Sequence, residues 1–289
     1  MKNIFEYICF VSLSRLIRFL GINLSRRLSP VLAGLFFYLI PIRKSTTIEN
    51  LKNAFPDSDN NKIKKTAFNC FNSFCITLIE ILYMPGMNEC EIKKQVKCIN
   101  PDLIKSKFDK QKGVILLSAH YGNWEYVATS VAAQLGIPFS VVVKAQRNPY
   151  VTGWMNRVRT RWNNQIIPLG ISIRQTYQRL KDKKIVAMVA DQRGPQESIK
   201  VNFFGKNVSV HTGPAVLALK TGAPILYGIP VRQSDFSYKT IMTEISIENL
   251  PESYEEKIKE VSQRHMSYLE SYIRKNPEQW LWMHKRWKH

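Results

Sequence analysis

His120 and Glu125 stand five positions apart in His120-Tyr121-Gly122-Asn123-Trp124-Glu125, directly after the apolar run 113–119. An imidazole and a carboxylate are the parts of a general-base unit: the carboxylate holds one ring nitrogen as N–H, and the other takes a proton from a hydroxyl. On one continuous helix the two side chains would diverge by about 140° at 3.6 residues per turn. They meet only if a strand ends near His120, the chain turns through Tyr121-Gly122-Asn123, and a helix opens near Trp124. The motif Asp191-Gln192-Arg193-Gly194-Pro195 also follows an apolar run, 185–190, and so sits at a second strand end. In open α/β sheets functional groups collect beyond the carboxyl ends of the strands, so these two ends can face one crevice.

The elements that must position these groups follow from hydrophobic periodicity. Residues 62–83 repeat apolar positions at helical spacing. From Gly113 onward, β-rich runs at 113–119, 138–143, 165–169, 185–190 and 224–231 alternate with helical stretches at 124–136, 149–162, 171–182 and 213–221. A further strand is expected over 238–247 and an amphipathic helix over 254–274. The pattern predicts an α/β fold with a mostly parallel central sheet flanked by helices. Thr212 or His211 is expected to cap the helix that begins at Gly213-Pro214.

The chain has 289 residues, enough for one sizeable domain with attached helices, and no stretch has the composition of an interdomain linker. Lys and Arg number 42 against 22 Asp and Glu, a formal charge of +20. So basic a surface suits an acidic partner. Zinc-finger spacing, Arg/Gly-rich tails and RNA-recognition aromatics are missing, which argues against nucleic acid and leaves a basic nucleic-acid-binding protein as a remote alternative. Residues 4–20 are apolar but carry Arg15 and Arg18 on one helical face, the pattern of an interfacial helix. A second apolar run, Val31 to Ile42, is shorter than the roughly 20 residues of a spanning helix and lies between Arg26-Arg27 and Arg43-Lys44. Residues 1–44 are therefore expected to be a membrane-associating helical segment, and 45–289 the main domain. Cys9, Cys70, Cys75, Cys90 and Cys98 have no C-x-x-C spacing and read as reduced thiols, with no metal site. The closing segment 277–287 alternates aromatic and cationic residues, as an interfacial anchor or a packed terminus would.

Four motifs in order carry a resemblance: His120-x-Gly-Asn-Trp-Glu125; Asp191-Gln192; Gly213-Pro214-Ala215 followed by Thr221-Gly222-Ala223-Pro224-Ile225; and Pro277-Glu278-Gln279-Trp280-Leu281-Trp282-Met283-His284-Lys285-Arg286-Trp287. Together with Glu49-Asn50-Leu51 and Ala54-Phe55-Pro56 they resemble the late lauroyl- and myristoyl-transferases of lipid A biosynthesis, within the glycerolipid acyltransferase superfamily. The resemblance implies a cofactor-independent, membrane-associated enzyme at the cytoplasmic face of the bacterial inner membrane. It would move an acyl chain from an acyl-carrier-protein or coenzyme A thioester to a hydroxyl of a lipid A precursor or similar anionic glycolipid. A lysophospholipid or amino-acid-containing lipid is the alternative acceptor.

His120 matches the family's catalytic histidine and Glu125 its carboxylate. Arg157 and Arg159 resemble its arginine-bearing helix, as oxyanion or phosphate ligands, and Asp191 is expected to pin another of the arginines around position 159. Asn123 and Gln192 complete the expected substrate-binding set. The activated hydroxyl would attack the thioester directly, so no acyl-enzyme is required, and the lack of a Gly-x-Ser-x-Gly nucleophile elbow argues against a serine hydrolase.

Overall fold

The computed structural model describes residues 1–170 and 172–288. Its first part is helical: α1 (Lys2–Leu20), α2 (Ile22–Arg27), α3 (Ser29–Gly34) running into a π-helical turn (Leu35–Leu39), α4 (Lys44–Ala54) and the long α5 (Asn60–Tyr83). Next come α6 (Glu89–Gln95), β1 (Val96–Cys98) and α7 (Pro101–Asp109). Strands and helices then alternate: β2 (Val114–Ser118), α8 (Trp124–Leu135), β3 (Phe139–Val143), α9 (Pro149–Thr160), β4 (Gln165–Pro168), α10 (Ser172–Lys181) and β5 (Ile185–Val189). The chain finishes with β6 (Lys200–Phe203), β7 (Lys206–Ser209), α11 (Gly213–Thr221), β8 (Ile225–Gly228), β9 (Val231–Arg232), β10 (Tyr238–Thr240), β11 (Met242–Ile245), α12 (Tyr254–Lys275) and a 3-10 turn (Pro277–Gln279). Ile171, expected to open α10, and the terminal His289 lie outside the described residues.

Six strands form the main sheet in the order β11-β8-β2-β5-β3-β4. Every pairing in it is parallel except that of the edge strand β11 with β8. The run Val114-Ile115-Leu116-Leu117 is apolar throughout because both faces of β2 are covered. Val114 and Leu116 join a cluster with Tyr126 and Val131 of α8 and Trp154 of α9. Ile115 and Leu117 join another with Leu217 of α11 and Val261 and Leu269 of α12. Each such side chain withdrawn from water contributes about 1.5–3 kcal/mol, which sets the strand register firmly.

The expected strand over 238–247 is two strands in two sheets. Ile241, exposed, breaks the alternation: β10 runs parallel to β1, whereas β11 pairs with β8. β6 and β7 form a hairpin that periodicity alone did not suggest, turning through Phe204 and Gly205, both at positive φ, as two-residue hairpins require. Thr212 occupies the N-cap of α11 without a side-chain cap bond, so neither expected cap forms.

Helix α5 is the one described helix long and apolar enough to cross a membrane, and 61% of that apolar stretch is buried. It is a core helix against which α1, α2, α3 and α4 pack. Its start is held by the Asp59 carboxylate, which accepts from the Asn61 and Lys62 amides. Between α1 and residues 22–39 the chain bends by 109° at Gly21. Ile4, Phe5, Leu16, Phe19, Val31 and Leu39 are exposed on these segments. Cys70, Cys75 and Cys98 are buried and Cys9 and Cys90 exposed, all as free thiols.

Candidate active site

β2 and β5 pair with a constant offset, from Val114↔Ile185 to Ser118↔Val189. Two residues beyond the last pair, that register brings His120 beside Asp191. The His120 Nδ1 lies 2.8 Å from Asp191 Oδ1, and the His120 backbone N–H donates to Asp191 Oδ2 at 3.0 Å. The Trp280 indole N–H donates to the same Oδ2 at 2.8 Å. With an ionised Asp191, Nδ1 carries the proton and Nε2 is left as the acceptor. Asp191 is 2% exposed in its side chain, while the imidazole retains 18%, so the ring can still be reached. A small cleft beside it is lined by Ser73, Phe74, Thr77, Trp124 and Glu278.

The turn between β2 and α8 places His120 as expected from the sequence, but the carboxylate that holds its ring is Asp191. Glu125, in the first turn of α8, is engaged by Arg159 of α9: Nε donates to Oε2 at 2.8 Å and Nη2 to Oε1 at 2.5 Å. This forked pair is nearly buried, with side-chain exposures of 10% and 8%. Glu125 therefore acts on His120 across space, as a nearby negative charge.

The three alternate arginines go three ways, as a helix demands. Arg159 turns inward to Glu125. Arg157 is exposed, its Nη2 3.3 Å from the Tyr7 hydroxyl of α1. Arg161 donates to the Pro85 carbonyl at 2.6 Å. None of them is pinned by Asp191, whose recorded partners are His120 and Trp280. Asn123, fully buried, caps α8 through the Tyr126 amide and donates Nδ2 to Glu80 Oε2 at 2.9 Å. Its amide is thereby committed to the turn rather than turned to a ligand. Gln192 is half-buried next to Asp191, without a side-chain hydrogen bond among the described residues.

Electrostatics separates His120 from the other histidines. Burial pulls its imidazole down, yet the charge and hydrogen bond of Asp191 and the charge of Glu125 outweigh it and hold the ring above the ordinary value. Burial likewise raises Asp191, and His120 and Trp280 more than offset it, keeping the carboxyl below its usual range. His265 and His284 are pushed by burial to about 4. His211 is also lowered by burial. Only His120, among those four, has a carboxylate on its ring.

The closing segment is a packed terminus. Trp280 and Trp282 are buried at 4% and 1% exposure, and the chain crosses the turn that carries His120: Gly122 N–H donates to Gln279 O at 2.8 Å, Leu281 N–H to His120 O at 2.9 Å. Gly122 sits at positive φ with the Pro230 carbonyl 2.2 Å from where a Cβ would stand, so no other residue fits. Trp280 was visible in the sequence as an aromatic of the tail, but nothing local linked it to Asp191. Glu80 was also missed; the signal was a lone acid inside the apolar run Leu78-Ile79-Glu80-Ile81-Leu82.

A family model described as bacterial lipid A biosynthesis acyltransferase matches residues 3–289. A lipid A biosynthesis palmitoleoyltransferase of Escherichia coli K12 is 26% identical over 254 residues, 85% of this chain and 79% of the relative. A lipid A biosynthesis lauroyltransferase of the same organism is 24% identical over 245 residues, covering 83% and 77%. A phosphatidylinositol mannoside acyltransferase of Mycolicibacterium smegmatis is 25% identical over 150 residues, 50% of this chain. The chain spans about half the length of the mannoside acyltransferases it matches.

Proposed function

Because the chain belongs to the bacterial lipid A biosynthesis acyltransferase family, we propose that it transfers a fatty acyl group from an acyl thioester to a hydroxyl of a lipid A precursor or a similar anionic glycolipid, with His120 as general base. The observation that carries this reading is the His120–Asp191 pair at the carboxyl ends of β2 and β5, with Nε2 free at a cleft. His120 Nε2 takes the acceptor's hydroxyl proton as its oxygen forms a bond to the thioester carbonyl carbon. Asp191 and, at longer range, Glu125 favour the imidazolium that results. The tetrahedral intermediate then breaks its C–S bond, and the leaving thiolate receives the proton from Nε2. In this reading Arg157, exposed next to α1, is available to acceptor phosphates.

Residues 1–44 serve as the membrane-associating segment and 45–289 as the acyltransferase domain, at the cytoplasmic face of the inner membrane. The apolar side chains exposed along the bent helical segment support insertion into the interface. The charge of +20 suits both an anionic bilayer and an acidic acyl carrier protein as donor. Removing residues 1–44 is expected to shift the protein from the membrane to the soluble or aggregated fraction on fractionation. Full retention with unchanged activity would assign anchoring to another surface.

The test is direct: detergent-purified protein is incubated with acyl carrier protein or coenzyme A thioesters and a lipid A precursor. The lipid should gain one ester-linked acyl chain by mass spectrometry. Turnover on neither donor, with no acyl gain on any anionic glycolipid tried, would overturn the reading.

A further inference from the structure

Glu80 is completely buried in the last turn of α5, and three hydrogen-bond donors from three parts of the chain surround its carboxylate. Arg26 of α2 donates Nε to Oε1 at 2.9 Å, and its Nη2 lies at ion-pair distance, 2.7 Å, from the same oxygen. Asn123, in the catalytic turn, gives Nδ2 at 2.9 Å to Oε2, and the Tyr238 hydroxyl of β10 donates to Oε2 at 2.6 Å. One helical turn earlier on the same face, Thr77 donates to the Gly122 carbonyl at 2.7 Å. Arg232 steadies this second anchor, donating to Thr77 Oγ1, Ser73 Oγ and the Tyr238 hydroxyl. The turn that carries His120 is thus gripped from α5 at Gly122 and Asn123, and the grip on Asn123, through Glu80, depends on a cation that comes from the N-terminal segment.

We propose that Glu80 is a positioning residue that couples docking of the N-terminal helices to the geometry of the catalytic turn, through Arg26 on one side and Asn123 on the other. The physical reason is the cost of an unpaired buried carboxylate. Removing one partner of a buried pair leaves a charge that the interior tolerates poorly, whereas replacing both by neutral groups of similar size is often harmless. When α2 is displaced, Glu80 loses its cation and recruits other donors or water. Asn123, which donates to the same carboxylate and also caps α8, then shifts with it. Insertion of residues 1–44 into a membrane would then bear on the site even though the segment supplies no reacting atom. This inference rests on the acyl transfer proposed above.

The experiment compares full-length, detergent-purified Arg26→Met, Glu80→Gln and Arg26→Met/Glu80→Gln. Arg26→Met is expected to lower kcat about tenfold or more, with KM for the thioester within about threefold, as for a group acting on geometry rather than binding. The double variant should regain most of that loss, a coupling that independent sites would not give. Deuterium uptake by the peptide covering 119–126 should rise in Arg26→Met and return toward wild type in the double variant, a readout that needs no turnover. Uptake and kcat of Arg26→Met matching wild type, or a double variant whose losses are the product of the singles, would overturn the coupling. If wild-type protein transfers no acyl group, the proposed reaction fails on that result alone, and the exchange data still decide the coupling.

Discussion

His120→Ala is expected to lower kcat/KM by about 10²–10⁴ while the protein remains folded and membrane-associated. Among the described histidines His120 is the one at the cleft, with no hydrogen bond on Nε2: His211, His265 and His284 are lowered by burial and have no carboxylate hydrogen-bonded to the ring. Asp191 is fully enclosed, and Glu125 is occupied by Arg159. Binding of both substrates should change little, because His120 acts in the transition state rather than in substrate capture. Circular dichroism and gel filtration in detergent would verify the fold, and initial rates the loss. Wild-type turnover in the folded variant would remove His120 from the mechanism.

A large effect on stability is expected from Arg159→Met. The substitution leaves the Glu125 carboxylate nearly buried without its forked partner, and breaking such a pair costs about 3–5 kcal/mol. An exposed pair would cost about 1 kcal/mol or less, so equilibrium denaturation discriminates the two. Glu125→Gln/Arg159→Met should be considerably more stable than Arg159→Met alone. A cost near that of a surface pair would mean that solvent reaches Glu125, and that Arg159 is free to meet a substrate.

Hydrophobic periodicity made the elements around the site legible. β2, β3, β4 and β5 and the intervening helices fall where apolar runs and helical spacing place them, because β2, β5 and β3 are largely buried, while the edge strand β4 buries Ile167. The ring partner of His120 was less legible. Glu125 was the carboxylate at suggestive spacing, but five residues of chain fix neither side chain's direction. Asp191 lies on a strand remote in sequence, and its position next to His120 depends on β2 and β5 being neighbours in a common register. That is a tertiary property, with no local signal beyond a polar residue after an apolar run. The tail was ambiguous for a related reason: aromatic and cationic alternation suits a membrane interface and a packed terminus equally. Hydrogen bonds from Trp280 to Asp191 and from Arg286 to the Ser209 carbonyl resolve it inward. Ile241, reading locally as part of one strand, marks where the chain leaves one sheet for another.

In the proposed mechanism Asp191 holds and charges the base, with Glu125 contributing from a distance. The pH profile of kcat/KM in wild type, Asp191→Asn and Glu125→Gln separates the two carboxylates. His120 must be neutral to take a proton, and its imidazole is held above the ordinary value, so wild-type activity should fall as pH drops through a pKa above that of a free imidazole. Asp191→Asn removes the charge that outweighs burial. Its acid limb should therefore move to lower pH, with kcat reduced about 10²-fold or more as the imidazolium loses its counter-charge and the ring its fixed tautomer. Glu125→Gln should move the limb in the same direction by less. An Asp191→Asn enzyme with the wild-type acid limb and turnover, or a larger displacement in Glu125→Gln, would contradict the assignment.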